Sequence, residues 1–484
     1  MPGSGTATHV ISQPGSYMLT ANVVGQTGRN GIEISASHVT LDLNGFCLDG
    51  AGAGLNGILA VGALTNVRIR SGTAKNWTLV GIHLESADGL RLEDLCALNN
   101  GDDGFRVGNE VDIADFCAND NAGHGLNGKN DVRIEGGRAA RNGANGILVL
   151  NLFLINNVVV KNNGNNGVEG GEKGGLRQVT SGENTNHGVQ ITTDGSARDA
   201  LTFLNGVNGL VSGDRTHVSQ YRSSDNGDRN YVGGDDGVYR NSSSHHTQTP
   251  GPGVGFDVQN GNLHDGCVAT GGATQFIADE NNFWKLCLAK EGASGFVGGN
   301  NCTARDCQSS GHIARSFQLG DSAEIRESRS VGDNSFGNLS EAGRVGSNSR
   351  VIASHVHNSG GGGFTTGDNC TVEDNLVTWD TFPIGQFPTA YSLGSHCTVR
   401  SNVADGGAFT TRGMNTGGVG NVIDRNVTTR GTVGLRVTDM NNVVTSHNSG
   451  GNLINYDLAP GIKAGTMTSD PSSPDNSYAN VECP

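Results

Sequence analysis

The sequence predicts an all-β fold: a single right-handed parallel β-helix, a solenoid of about 18–19 rungs with three short strands in each. Three observations carry this. Glycine supplies 77 of 484 residues and proline only 10. That glycine share is more than twice the usual one, so the chain turns often, yet without the strict third-residue glycine of collagen. Hydrophobic residues reach 35% as Val/Ile/Leu pairs spread from end to end, which argues against disorder. Gly and Asn throughout argue against helix.

The third observation is a period. From residue 104 the chain divides into blocks of about 21 residues that open Gly104-Phe-Arg-Val, Gly125-Leu-Asn-Gly, Gly146-Ile-Leu-Val, Gly167-Val-Glu-Gly, Gly188-Val-Gln-Ile and Gly209-Leu-Val-Ser. A second apolar pair follows in each block, as in Val111 and Ile113 or Val132 and Ile134, then a third, as in Phe116 and Ala118. Alternate side chains of each strand point inward. One such triangle cannot bury its apolar face, but stacked triangles share a continuous core. At about 4.8 Å per rung the coil is expected to run roughly 90 Å. Gly and Asn are expected where the backbone takes positive φ to turn.

The ends break this rhythm. Residues 1–29 read as an N-terminal cap over an otherwise open sheet edge, residues 30–465 as the coil, and residues 466–484 as a loose polar tail. Longer inserts are expected at 230–254, 337–362 and 377–389, and solenoid inserts gather on one face. The last is the most aromatic stretch of the chain, from Trp379 to just before Tyr391.

Charge bounds the partners. With 32 basic and 47 acidic residues the formal charge is −15, which disfavours nucleic acid and anionic membranes as partners. No apolar run reaches the roughly 18 residues that span a bilayer. The start, Met-Pro-Gly-Ser-Gly-Thr, shows no signal peptide, so an extracellular or cell-surface location supposes that a signal has been removed.

The rungs resemble the parallel β-helix repeat of the pectate-lyase-like superfamily: pectate lyases, polygalacturonases, alginate epimerases and phage tailspikes. The opening Ile11-Ser-Gln-Pro-Gly-Ser-Tyr-Met-Leu-Thr, with Asn30-Gly-Ile-Glu-Ile and Val39-Thr-Leu-Asp-Leu-Asn-Gly-Phe, resembles the start of secreted β-helix repeat proteins of environmental bacteria. Asn455-Tyr-Asp-Leu-Ala-Pro-Gly resembles their close. The resemblance spans nearly the whole chain and implies the fold, with no common chemistry attached.

The sharpest constellation is Asp102-Asp103 followed by Gly123-His124-Gly125. Asp103 and His124 share a column on adjacent rungs, Arg106 and Asn127 project from the next strand, and His83 lies one rung below Arg106. Polygalacturonases resemble this in pairing an Asp-Asp with a Gly-His-Gly one rung on, their carboxylates serving as general acid and as base for a water. The chain departs from them at Val80, where their preceding Asp would stand, and at Asn157–Lys161, where their Arg-Ile-Lys is absent. The same column reads Asp103, His124, Asn145, Asn166, His187, Asn208, Arg229, as a solvated polar turn would. The alginate-epimerase Asp-Pro-His-Asp is also missing, Gly255-Phe-Asp-Val being the nearest approach.

No cofactor is required by these patterns. Calcium is the one cation suggested, because Asp102/Asp103 and Asp235/Asp236 both form Gly-Asp-Asp-Gly turns rich in hard oxygen ligands. His355-Val-His357 and His245-His246 read as exposed turn histidines rather than metal ligands. Cys96 and Cys117 share one column, Cys370 and Cys397 another. Without Cys-x-x-Cys spacing they read as free thiols in a ladder.

Two functional readings follow. The first is a non-catalytic extracellular or cell-surface β-helix that binds a polysaccharide or surface glycan, or self-assembles. The second is a polysaccharide hydrolase or lyase with Asp102, Asp103, Arg106 and His124 as its catalytic set. His83, Asn127, Trp379 and Tyr391 would then border the groove. A phage-type adhesin is a third reading, without a visible trimerisation segment.

Overall fold

The computed structural model describes residues 3–247, 253–332, 341–380, 388–407, 411–460 and 462–464, with the backbone of 467–468 and 480–483. Of the expected inserts, residues 248–252, 337–340 and 381–387 lie outside the described residues, as does most of the expected tail. The chain divides into two compact units, Met1–Val238 and Tyr239–Pro484. Among the described residues there is no helix, and the strands pair in parallel. The fold is the expected right-handed-type parallel β-helix. First strands mark eleven turns in the first unit and ten in the second. Nineteen of them start between residues 30 and 453, as the period predicts. Ala7–Ile11 and Ile454–Leu458 add one at each end.

Ala7–Ile11 pairs in parallel with Asn30–Ile34, and Gly15–Met18 with Val39–Asp42, so the N-terminal segment is itself built as a turn. At the other end Asn480–Cys483 pairs with Asn448–Gly450.

One rung shows why the sequence folds this way. In Phe105–Val107 and Val111–Asn119 the side chains of Phe105, Val107, Val111, Ile113, Phe116 and Ala118 are at most 2% exposed. Arg106, Asp112, Ala114 and Cys117 alternate with them and face outward. Register is maintained: Phe105 lies between Ile82 and Leu126, and Val111 between Leu90 and Val132. Burying each large apolar side chain contributes about 2 kcal/mol relative to exposure.

The corners correct the expectation for glycine. Each rung turns on single left-handed residues, but these are Glu110, Asp115 and Asp120 in one rung and Lys173, Gln178 and Glu183 in a later one. Among the described residues, positive φ occurs at forty-five non-glycine residues, half of them Asn or Asp, and at only eighteen glycines. Short polar side chains hydrogen-bond locally and tolerate this region.

The block-opening glycines are instead required by close approach. A Cβ on Gly125 would lie 2.5 Å from the Gly146 carbonyl oxygen and 2.7 Å from Asn142 Nδ2. Gly104, Gly146, Gly167 and Gly188 have the same two neighbours from their own next rungs.

That amide belongs to a buried ladder: Asn100, Asn121, Asn142, Asn163, Asn184, Asn205 and Asn226, each 1–4% exposed. The backbone N–H of Asn121 donates to Asn142 Oδ1 at 3.1 Å and its Nδ2 donates to the same oxygen at 3.0 Å. Its other amide hydrogen goes to the Ala97 carbonyl at 3.0 Å. The pattern recurs every 21 residues, so both lone pairs and both amide hydrogens are used. The second unit repeats it through Asn375, Asn402 and Asn426.

The second unit also buries a spine of rings. Phe256, Phe276, Phe296 and Phe317 stack at centroid spacings of 5.0, 4.8 and 5.1 Å. Beside it His264, fully buried, stacks on Tyr239 at 4.9 Å and meets Phe256 edge-on. Neither of its ring nitrogens has a hydrogen-bond partner among the described residues. Burial lowers its pKa to about 4, with Cys287 opposing.

Three predictions follow from this packing. Asn142→Ala strands the Asn121 N–H and amide, and is expected to cost about 3 kcal/mol in urea unfolding. Gly125→Ala is expected to cost at least about 2 kcal/mol, whereas Gly417→Ala, whose Cβ would meet nothing within 4 Å, is expected to be neutral. For His264 the unfolded chain takes up a proton below its ordinary pKa of about 6.5, whereas the folded chain does so only near 4. Stability therefore falls with pH across that window, by on the order of 3 kcal/mol. His264→Phe is expected to flatten the slope between pH 6.5 and 4 and to raise stability at pH 7. An unchanged slope would contradict the assignment.

Candidate functional site

Asp102 and Asp103 occupy the turn that leads into Phe105–Val107, and the structure does bring them together with Arg106, His124 and Asn127. Arg106 Nε donates to Asp103 Oδ2 at 2.8 Å and its terminal nitrogen to Asp102 Oδ2 at 2.8 Å. Asn127 Nδ2 donates to Asp103 Oδ2 at 3.0 Å, and the backbone N–H of His124 to Asp103 Oδ1 at 2.8 Å. The Asp103 side chain is 1% exposed and that of Asp102 38%. Burial alone would lower the Arg106 pKa, but the two carboxylates, Asp103 foremost, raise it above its ordinary value.

The column to which Asp103 belongs explains this. His124 Nδ1 accepts the N–H of Asn145 at 3.2 Å, Asn145 Oδ1 that of Asn166 at 3.0 Å, and Asn166 Oδ1 that of His187 at 3.0 Å. His187 Nδ1 accepts from Asn208, and Asn208 Oδ1 from Arg229. The position is therefore a partly buried acceptor ladder, more demanding than a solvated polar turn. It admits side chains with an acceptor at the right reach: Asp, Asn, or a histidine neutral at Nδ1. Burial lowers the His187 pKa, with Glu169 opposing.

Sequence reasoning missed the partners one strand on. Asn145 and Asn166 both donate to Glu169 Oε2, at 2.8 and 3.0 Å, and Asn166 also donates to Gln190 Oε1. Asn127 stands to Asp103 as Glu169 does to Asn145, a 24-residue offset that a column-by-column reading does not sample. Arg106 neutralises Asp103 and Asn127 adds a hydrogen bond to it, Asp103 being the one carboxylate among the acceptors of this column from Asp103 to Asn208.

The remaining candidates separate from this cluster. His83 pairs with Arg106 in register, and its Nε2 lies 3.6 Å from Glu85, which also holds Lys129 at 3.4 Å. Burial and then the Arg106 cation lower the His83 pKa, against Glu85. Trp379 and Tyr391, expected to border a groove, are core residues at 1% and 0% exposed. Trp379 Nε1 donates to the Ser359 carbonyl at 2.8 Å, and the Tyr391 hydroxyl donates toward Asn375 O at 2.9 Å and Val403 O at 3.0 Å. Asp235 and Asp236 form a bend in which Asp214 Oδ1 accepts the Asp235 N–H.

Among the described residues no three His, Cys, Asp or Glu side chains converge to hold a metal. The Asp102 and Asp103 carboxylates that a calcium ion would need both face Arg106. The histidines expected at exposed turns are engaged. His246 is 7% exposed, and His357 bonds Thr378 Oγ1 at 2.9 Å and lies 3.3 Å from Asp380. The nine described cysteines are free thiols, as expected. A buried run of Cys267, Cys287 and Cys307 repeats every 20 residues and so falls outside the 21-residue period read from the sequence.

A second surface carries more open chemistry. The outer face of the second strands in the first unit holds two columns. One runs Arg68, Arg91, Asp112, Arg133, Leu154, and the other Asp42, Arg70, Glu93, Ala114, Glu135, Asn156, Arg177, Arg198. Six arginines face four carboxylates there, in a chain of net charge −15. Asp42 holds Arg70, and Glu93 holds Arg68 and Arg91. Arg133 and Arg177 have no carboxylate partner among the described residues, and Leu154 beside Arg133 is 42% exposed. A shallow cavity of about 210 Å³ lies between Arg91, Glu93, Asp112, Arg133 and Glu135.

Comparison with known proteins assigns the chain to no family. No family profile matches the chain, and no curated protein matches it in sequence. Among solved structures it is similar to the A-module of the mannuronan C-5 epimerase AlgE6 of Azotobacter vinelandii, at 13% identity over 78% of this chain and 91% of that one, with a TM-score of 0.28. It is similar to the pre-mature bacteriophage phi29 gene product 12 at 10% identity over 93% and 68%, TM-score 0.29. It is also similar to the PL6 family alginate lyase AlyGC, at 8% identity over 95% and 98%, TM-score 0.21.

Proposed function

We propose that the protein is a non-catalytic, extracellular β-helix that binds a carboxylate-bearing glycan along the arginine-rich outer face of its first unit. The observation that carries this reading is the contrast between two sets of charges. Asp103 is buried, and both its oxygens accept hydrogen bonds from Arg106, Asn127 and the His124 amide. A general acid or base needs a proton it can exchange with a substrate within hydrogen-bond reach, and Asp103 meets none of those conditions. Arg133 and Arg177, by contrast, are exposed cations without carboxylate partners in this face.

The geometry of the face suits a linear polymer. Arginine forks bind carboxylates in a bidentate fashion, and the rung spacing repeats such groups at about 4.8 Å. Arg177 and Arg198 are neighbours in register, and Asp199 lies 3.2 Å from Arg198, which leaves Arg177 as the free cation of the two for a ligand carboxylate. Exposed Leu154 offers an apolar surface to a sugar ring. No step in this binding calls for a metal.

The test is a glycan array followed by titration calorimetry. Binding of polyuronates over neutral glycans is expected, weakening with salt and unchanged by EDTA. The double variant Arg133→Ala/Arg177→Ala is expected to lose roughly tenfold or more in affinity while unfolding at the same urea concentration. Release of reducing ends or unsaturated products that disappears in Asp103→Asn would establish the hydrolase or lyase reading instead.

A further inference from the structure

Cys47, Thr73, Cys96, Cys117 and Arg138 follow one another in a single outward column of the third strands, each in register with the next. Cys96 and Cys117 are half-buried there. Buried cysteines elsewhere, such as Cys267, Cys287, Cys307, Cys370 and Cys397, are at most 2% exposed. The Cys117 sulfur also accepts from Asn119 Nδ2 at 3.0 Å, a contact that favours thiolate over thiol.

We propose that Cys117 and Cys96 form a reactive dithiol, a modification site for hydrogen peroxide at which Cys117 reacts first and Cys96 resolves. The surroundings differentiate the two sulfurs. The hydrogen bond from the Cys96 thiol, then the Arg138 and Arg141 cations, lower the Cys117 pKa to about 7 against burial. The same sulfur–sulfur contact and burial raise that of Cys96. Cys47, half-buried in the same column, is raised by burial, with Lys75 opposing. Thiolate character and access together govern cysteine reactivity, and only Cys117 combines them.

The chemistry balances within the pair. The Cys117 thiolate attacks one peroxide oxygen, so an S–O bond forms as the O–O bond breaks, and the departing oxygen leaves as hydroxide that takes a proton to become water. The Cys96 sulfur then attacks the Cys117 sulfenic sulfur. The S–O bond breaks and hydroxide leaves with the Cys96 proton as a second water. The two thiols lose two electrons and the peroxide gains them. In-register parallel neighbours stand about 4.8 Å apart, within the Cα range of a disulfide but beyond its usual Cβ spacing. Closing the bond must pinch the two strands together, and strained disulfides are readily reduced.

The experiment uses the full chain without denaturant. Stoichiometric hydrogen peroxide is expected to remove two thiols and give a Cys96–Cys117 cross-linked peptide by mass spectrometry, reversed by dithiothreitol. In Cys96→Ser the sulfenic acid on Cys117 is expected to persist and to be trapped by dimedone. Iodoacetamide should alkylate Cys117 of the unmodified chain at least tenfold faster than Cys47 at pH 7, with a midpoint near that pH. This readout requires no variant to fold. Equal rates at Cys47 and Cys117, or peroxide consumption unchanged in Cys117→Ser, would overturn the assignment.

Discussion

Side-chain acceptors that receive amide protons from the adjoining rung are the interaction on which the rest of this structure depends. Strands satisfy one another through the parallel ladder, but the turns between them leave N–H groups that must be paired when buried. The asparagines from Asn121 to Asn226 pair them, each Oδ1 accepting both a backbone and a side-chain hydrogen from the preceding rung, and Asn100 Oδ1 accepts the backbone N–H of Trp77. Their amides fill the space where a Cβ of the block-opening residue would stand, and so that residue is glycine. Such a network is stabilising only when complete. Here the 21-residue repeat completes it, since any shift of register would strand every member at once.

The column that begins at Asp103 uses the same device with different side chains. Neutral acceptors suffice at Asn145, Asn166 and His187, and their neighbours Glu169 and Gln190 accept the spare amide hydrogens. Asp103 brings a negative charge into this position, and the cost of burying it is met by Arg106 and Asn127. The Asp103 constellation thus repeats the acceptor ladder of its column with a compensated charge.

What was legible in the sequence was whatever the period alone determines. The inward positions of Phe105, Val111 and Phe116 and the adjacency of Cys96 and Cys117 follow from alternation and a 21-residue offset. Composition could not say whether glycine was there for positive φ or for close approach, because both select the residue without a Cβ. The corners went to Glu110, Lys173 or Arg215 instead, whose left-handed conformations no propensity suggests. Trp379 looked like a groove residue because its neighbours are aromatic. Its parity with buried Val377 assigns it to the core, and alternation was the better guide.

The contrast between inward and outward columns also decides which charges are available for function. Freeing Asp103 to exchange a proton would break three hydrogen bonds, one of them to a cation, in a site 1% exposed to solvent. Separating a buried ion pair of this kind costs about 3–5 kcal/mol, and that penalty would add to the barrier of any reaction routed through it. Arg133 and Arg177 face no such penalty, because they are exposed and engage no carboxylate among the described residues. A ligand that pairs with them gains charge-assisted hydrogen bonds without dismantling a ladder. In a solenoid whose interior is committed rung by rung to holding register, new interactions arise most readily on the outward columns, and there the arginine face stands apart from an otherwise acidic chain.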